Sequence, residues 1–323
     1  AAAKGEAAAA VRDDTAVRVA VRVRPHVPGE DNRVCLFKSK GQPQLVLGKE
    51  RSFTFDHVFD QKSTQVQVHS SCVTPLIDAV FQGFNATVFA YGQTGSGKTY
   101  TMGSAADGHD GDRGIIPRAI EDIFGYIRSD TSTRSKYLVR ASYVQIYNEV
   151  ISDLLKPERA NLSIREDKKR GVFVENLSEW VVRTPDEIYG LMERGATQRT
   201  TGSTKMNELS SRSHAVFIII VENSKLEEEA GQKELRQSFK VGKLNLVDLA
   251  GSERVRLTGA TGVRLEESKK INQSLSALGN VIKALTEPKG RPHIPYRDSK
   301  LTRILEDSLG GNCKTTMMAM ISP

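Results

Sequence analysis

Cysteine is scarce in this 323-residue chain: Cys35, Cys72 and Cys313 stand apart, with no C-x-x-C pair. That spacing excludes a disulfide framework and a cysteine-rich zinc site, and it fits a reducing compartment. No apolar run approaches the roughly 20 residues that a membrane-spanning helix needs. The N-terminal stretch is Ala-rich, carries Lys4 and Glu6, and lacks the apolar core of a secretory signal. Residues 1–14 therefore read as a disordered lead-in. There is no internal repeat, no heptad pattern, no polybasic tail and no linker-like shift in composition. With 38% hydrophobic and 26% charged residues, the chain has ordinary globular composition. Its length can bury a sizeable core, and the reading is one domain over residues 15–323. The net charge of +7 admits an anionic partner without separating nucleic acid, membrane surface and acidic protein. Any basic surface has to be assembled from loops.

What is present centres on Gly92-Gln93-Thr94-Gly95-Ser96-Gly97-Lys98-Thr99, which has the form G-x-x-x-x-G-K-[ST]. This is the phosphate-binding loop of nucleoside triphosphatases. An apolar β-prone run, Ala86 to Ala90, precedes it, and a segment able to start a helix follows. The glycines let successive N–H groups curl inward toward phosphate oxygens. A helix beginning near Lys98 would add the positive end of its dipole. Lys98 reaches β- and γ-phosphates in such loops, and the Thr99 hydroxyl ligates Mg²⁺. The overlapping Gly95-x-Gly97 suggests a dinucleotide fingerprint, but Tyr100 stands where its third glycine belongs.

Along the chain, strand patterns alternate with helical ones. Strands are expected over Ala16–Val23, Phe53–Phe55, Leu138–Tyr147, in pieces of Leu162–Val182, and over Ala215–Val221, Phe239–Val247 and Thr315–Ile321. The charged segment between Val221 and Phe239 reads as a loop, and so does Gly103–Gly114. Helices are expected over Val66–Phe81, from Pro117, after the capping-box start Thr184-Pro185-Asp186-Glu187, along Ile271–Leu285, and over Lys300–Leu309. The alternation argues for an α/β sheet with helices on both faces.

Two further stretches complete a site. Leu244-Asn245-Leu246-Val247-Asp248 is an apolar strand ending in a carboxylate that can hold Mg²⁺, the form of a Walker B element. Gly251 follows closely, and its N–H can approach a terminal phosphate and swing away after hydrolysis. Asn207-Glu208-Leu209-Ser210-Ser211-Arg212-Ser213-His214 gathers hydroxyls, one arginine and one histidine just before a strand. Hydroxyls can ligate Mg²⁺ and position water, and an arginine can pair with a carboxylate.

Together these residues resemble the kinesin motor domain. Tyr91 to Thr99, Asn207-x-x-Ser-Ser-Arg-Ser-His214 and Asp248-Leu-Ala-Gly-Ser-Glu253 carry the resemblance. Arg22-Val-Arg-Pro25, Ile146-Tyr-Asn-Glu149, Asn272 to Leu278 and Pro295 to Thr302 support it, in family order over about residues 16–323. It implies a three-layer P-loop NTPase fold with a central, mostly parallel, twisted sheet of about eight strands. It implies an ATP hydrolase with ATP and Mg²⁺ at the site, ADP as product, and microtubules (tubulin) as partner, in the cytoplasm and on the cytoskeleton. No nucleic acid or membrane partner is expected.

By the same resemblance, Arg22, Arg24 and Pro25 contact adenine, with Tyr100 near the base. The absence of N-K-x-D agrees with ATP over GTP. Asn207 to His214 is the first switch, and Asp248 to Glu253 the second. Ser210 and Ser211 would hold the attacking water and Mg²⁺, Arg212 and Glu253 would form a gating salt bridge, and Gly251 would sense the γ-phosphate. Microtubule contacts fall on Arg165, Lys168 and Arg170, on Arg254 and Arg256, and on Tyr296, Arg297 and Lys300. Leu257 stands where the family often has lysine. The chain ends at Ile321-Ser322-Pro323, before the family's final helix and neck, so a monomer is expected. With no coiled-coil neck preceding it in this sequence, a motor placed early in its parent chain is expected, which by family analogy alone suggests plus-end movement. The competing readings are a P-loop NTPase without a cytoskeletal partner, and a microtubule-binding module without turnover.

Overall fold

Period-two apolar patterning builds a nine-stranded central sheet, and the helices cover it on both sides. The computed structural model describes residues 17–30, 35–37, 43–48, 51–103, 113–168, 171–201, 209–228, 235–253, 263–287, 293–310 and 313–323. In chain order, β1 (Val17–Val23) precedes three short strands, β2 (Cys35–Phe37), β3 (Gln44–Leu47) and β4 (Arg51–Thr54), which form a separate antiparallel sheet. Then come β5 (His57–Phe59), α1 (Gln65–Cys72), α2 (Thr74–Phe81), β6 (Asn85–Tyr91), α3 (Lys98–Met102) and α4 (Ile115–Ser129). The middle of the chain gives β7 (Ser135–Tyr147), β8 (Val150–Asp153), the hairpin of β9 (Ile164–Asp167) and β10 (Gly171–Val174), β11 (Trp180–Val182) and α5 (Pro185–Thr201). The last third contains α6 (Leu209–Arg212), β12 (His214–Glu228), β13 (Leu235–Asp248), α7 (Val263–Thr286), α8 (Lys300–Ile304), α9 (Glu306–Leu309) and β14 (Cys313–Ile321).

The sheet order is β11-β7-β12-β13-β6-β14-β1-β5, with β8 beside β7. From β13 to β5 every pairing is parallel; from β11 to β13, and between β7 and β8, every pairing is antiparallel. The sheet is thus evenly mixed, and its parallel half carries the phosphate loop. Alternation sorts the core into two layers. Ala86, Val88, Leu244, Leu246, Phe217 and Ile219 face α1, α2, α4 and α5. Phe89, Val144, Val216 and Val247 face α7, α8 and α9 through Leu275, Leu278, Val281, Leu301 and Leu305. Each such large side chain contributes roughly 1.5–3 kcal/mol by leaving water.

Three elements differ from the sequence pattern for identifiable reasons. The helix expected over Val66–Phe81 is two helices. Pro75 lacks an N–H and sits in the first turn of α2, so the ladder restarts at Val73. Thr64 and Gln67 cap α1 reciprocally. The charged segment expected as a loop is instead paired from Glu222↔Val241 to Glu228↔Leu235, so β12 and β13 form one long hairpin extending past the core. Lys225, Leu226, Phe239 and Lys240 there are exposed, so apolar alternation is no longer needed. Lys300–Leu309 is two short helices, broken at Leu305. Most of the loop expected at Gly103–Gly114 lies outside the described residues.

One packing contact sets how closely α5 approaches the sheet. A Cβ at Gly195 would come 2.2 Å from the Tyr143 ring, which itself packs edge-on against Phe217 at 5.2 Å between centroids. Gly195→Val should therefore lower unfolding stability by about 1–3 kcal/mol through overpacking. The urea midpoint reads this out; an unchanged midpoint would mean that α5 can retreat without cost.

Candidate functional site

The site forms at the C-terminal ends of parallel neighbours β6 and β13, where open α/β sheets hold ligands. Beyond Tyr91 the chain turns sharply. A Cβ at Gly92 would lie 2.4 Å from the Met320 carbonyl, so only glycine lets the loop pass β14. Gly97, at φ +98°, turns the loop into α3 in the left-handed region that favours glycine. α3 itself is only five residues long and ends at Gly103, so the loop amides outweigh any long-helix dipole as the source of positive potential. Ser96 Oγ donates to the Gln93 carbonyl and holds the curl.

Lys98 is 7% exposed, and its Nζ donates to the carbonyls of Gly92 (2.8 Å) and Gln93 (3.0 Å). Burial lowers its pKa, while Asp248 and Glu253 pull it back up. A cleft of about 240 Å³ is lined by Thr94, Gly95, Gly97, Lys98, Thr99, Tyr100, Ser211 and Asp248. Larger clefts exist, of about 620 Å³ between α1, α2 and α4 and about 590 Å³ where the C-terminal ends of α2 and α4 meet the start of β7 and the middle of β12 and β13. Neither contains the phosphate loop.

Asp248 ends β13 beside this cleft. Its Oδ2 accepts from Arg199 Nη1 at 3.2 Å, while its buried Oδ1 has no hydrogen-bond partner among the described residues. An orphaned carboxylate oxygen on the wall of a cleft that Thr99 and Ser211 also line is a donor set that suits Mg²⁺, a hard cation usually held by one or two carboxylates, hydroxyls and waters. No group of three His, Cys, Asp or Glu side chains converges on a metal position among the described residues.

The segment after Asp248 lies along the phosphate loop. Leu249 N–H donates to Ala90, and Ser252 N–H to Gly92. Glu253 takes two bonds from Thr94, one from its hydroxyl (2.7 Å) and one from its N–H (3.0 Å). Burial pushes the Glu253 pKa up, but the Thr94 bonds and the Lys98 charge outweigh this and hold the carboxyl below its ordinary value. Gly251 N–H donates to the Ser211 carbonyl at 2.8 Å, joining the two candidate switches directly.

The expected Arg212–Glu253 pair is not made among the described residues. Arg212 Nη1 bonds Glu267 on α7 at 2.9 Å, and Tyr147 donates to the other oxygen of that carboxylate. The physical reason is proximity: Glu253 is held by Thr94, while the Glu267 carboxylate on α7 lies within reach of Arg212.

The adenine candidates separate. Arg22 is 7% exposed and spent on Gln65, Thr101 and the Ser63 carbonyl, with its guanidinium 5.3 Å from the Tyr100 ring centroid. It supports Tyr100 from behind; burial lowers its pKa. Arg24 bonds the Gly95 carbonyl, and Pro25 is exposed beside it. Gln93 Nε2 reaches Ser322 at 3.2 Å. The side chain of Ser210 and all of Asn207 lie outside the described residues.

Of the candidate microtubule contacts, Arg170, Arg254 and Arg256 lie outside the described residues. Arg165 and Lys168 are exposed on the β9–β10 hairpin, and Arg297 and Lys300 are exposed at the start of α8. Glu166 bridges these two regions through Arg303 and Arg297. Arg165 also pairs with Glu175 at 3.0 Å. The half-buried Tyr296 packs into the α7–α8 core layer, so its ring acts in packing.

Sequence reasoning missed Arg199 and the interior role of His214. Arg199 is 8% exposed and clamps the Ser213 hydroxyl and carbonyl as well as Asp248. Nothing local marks it, because an arginine on a helix is ordinary. His214 accepts from Ala250 N–H at Nδ1, so Nε2 carries the proton and donates to Ser274, which donates to the Ile271 carbonyl. The motif position could have found His214; its partners could not be read.

The fold and site define a P-loop nucleotide-binding protein of the three-layer α/β type. The family described as the kinesin motor domain matches residues 22–323, and the chain belongs to it. A kinesin-like protein kif7 of Danio rerio is 48% identical over 321 residues, covering 96% of this chain and 23% of that protein. A kinesin heavy chain of Neurospora crassa is 48% identical over 319 residues, covering 95% of this chain and 32% of that protein. The chain thus spans about a quarter to a third of these relatives. A solved structure of a fast kinesin superposes with a TM-score of 0.84 at 45% identity, covering 95% of this chain and 86% of the other. A KIF14 fragment with ADP, in complex with a microtubule, gives 0.82 at 40% identity, covering 95% and 89%.

Burial pulls the His214 pKa down to about 3, so the folded site holds it neutral. An unfolded chain would protonate it below about 6.5. The unfolded state therefore binds the extra proton between these values, and stability should fall as pH drops from about 6.5 toward 3. Urea midpoints at neutral and mildly acidic pH should show this loss. His214→Gln, less stable throughout, should show a smaller one; an equal pH dependence in both would remove His214 as the source.

Proposed function

We propose that this chain is an ATP-hydrolysing motor domain whose turnover is stimulated by microtubules. The observation that carries the reading is the convergence of three backbone segments on one small cleft: the loop around Lys98, the Ser211–Arg212 turn and the Asp248–Glu253 run. Thr99, Ser211 and Asp248 would hold Mg²⁺, which neutralises phosphate charge. Lys98 would exchange its loop carbonyls for phosphate oxygens. Tyr100 and Arg24 would border the base. Phosphoryl transfer asks mainly for positioning and charge neutralisation, so no strong general base is required. Glu253, held ionised, would be the end point of a proton passed from the attacking water.

Loss of the terminal phosphate would loosen the Gly251–Ser211 contact. That change would reach α7 through Arg212–Glu267 and His214–Ser274. Arg165, Lys168, Arg297 and Lys300, with the basic residues outside the described segments, would supply salt-sensitive attraction to acidic tubulin on the cytoskeleton. The KIF14 complex supports this partner, and its ADP supports the nucleotide. Movement toward the plus end follows by family analogy.

ATP turnover with and without microtubules tests the reading. Stimulation by an order of magnitude or more, weakening between low and physiological salt, is expected. Fast basal turnover without stimulation would favour a general NTPase, and binding without turnover an inactive microtubule-binding module. Glu253→Ala should retain nucleotide binding and lose stimulated turnover; unchanged stimulated turnover would remove Glu253 from the proton route.

A further inference from the structure

On the α7–α9 side of the sheet, remote from the phosphate loop, a cleft of about 480 Å³ lies between β7, β12 and β13 and the β9–β10 hairpin. Much of its wall is apolar, formed by Val172, Val174, Leu177, Ile218, Ile220 and Ile304. Lys243 enters it from β13 with a side chain only 20% exposed. Its Nζ makes no hydrogen bond among the described residues. The nearest carboxylate, Asp307, is 3.9 Å away and already accepts from Val172 N–H. Arg140, across the cleft, is occupied by Glu179 and Glu222. The Asn245 amide is spent on Thr87 and Ser308. A mostly buried amine is thus left with unused donors in an apolar cleft, an arrangement that asks for an acceptor.

We infer that this cleft is a binding site for small, uncharged, apolar carbonyl compounds, and that Lys243 captures an aldehyde there as an imine. Charge selects the class. The lining carries Arg140 and Lys243 against Glu179, Glu222 and Asp307, so an anion would be repelled while a neutral carbonyl can take the free donors. The chemistry follows from burial. Desolvation lowers the Lys243 pKa against the opposing pull of Asp307 and Cys313, raising the share of neutral amine. Asp307 or solvent takes the ammonium proton. The nitrogen lone pair then bonds the carbonyl carbon, and the carbonyl oxygen leaves as water with the two remaining amine protons, leaving a neutral C=N bond. No oxidant or reductant is needed. The site is independent of the nucleotide reading.

The folded chain is incubated with 2-naphthaldehyde, adducts are trapped with borohydride, and peptides are quantified by mass spectrometry. Lys243 should be labelled at least several-fold above exposed Lys136, Lys240 and Lys300, because burial leaves more of it as free amine. The preference should vanish in urea and persist in Lys98→Ala, which separates its failure from failure of the ATP site. Lys243→Arg, checked for folding by its melting curve, should lose only this adduct. Labelling spread evenly over exposed lysines, or Lys243 labelling that appears only after unfolding, would overturn the assignment.

Discussion

The parallel register of β6 against β13 is the constraint on which the rest depends. Asn85↔Lys243 through Ala90↔Asp248 run side by side, so both strands end at the same edge of the sheet. The phosphate loop leaves one strand exactly where the Asp248 carboxylate ends the other. Pairing continues beyond the strands, from Leu249 to Ala90 and from Ser252 to Gly92, and it lays Glu253 against Thr94. A slip of one residue would turn Asp248 to the opposite face of the sheet.

Around that edge, buried polar groups join segments far apart in sequence. Arg199 on α5 holds both Asp248 and Ser213, and removal of either partner of such a buried pair leaves an uncompensated charge. His214 joins β12 to Ala250 on one side and to Ser274 on the other. Glu267 gathers Arg212 and Tyr147 onto the same helix. The 24-residue α7 spans about 36 Å at 1.5 Å per residue, so a rigid rod runs from the candidate switches along the sheet.

The charges on the opposite lobe show how context changes meaning. In the sequence, Arg165 and Arg297 are simply cations in loops. In the fold, Glu175 and Glu166 stand beside them, and Glu166 also fastens the β9–β10 hairpin to α8 through Arg303. The same ion pairs that orient the lobe temper its positive field. Lys243 shows the converse: an unremarkable lysine before an apolar strand becomes a mostly buried amine facing a cleft, because β13 places it opposite Asp307.

The phosphate loop, the Asp248 strand end and the amphipathic stripe of α7 were legible because each depends on residues close in sequence. Glycine conformational freedom, strand alternation and helical periodicity are local physics. The break at Pro75 was equally local and was obscured only by the longer apolar period around it. The extension of β12 and β13 was not legible, because paired backbone beyond the core needs no apolar face. By itself, the sequence determined the alternation of the main strands and helices, the loop able to hold phosphate, and the residue types of the site. The tertiary structure alone decided that Arg199 clamps Asp248, that Arg212 takes Glu267, that Arg22 lies behind Tyr100, and that the sheet is half antiparallel. Those outcomes turn on which distant groups come within about 3 Å of one another, the reach of a hydrogen bond, and neighbouring residues carry no record of that distance.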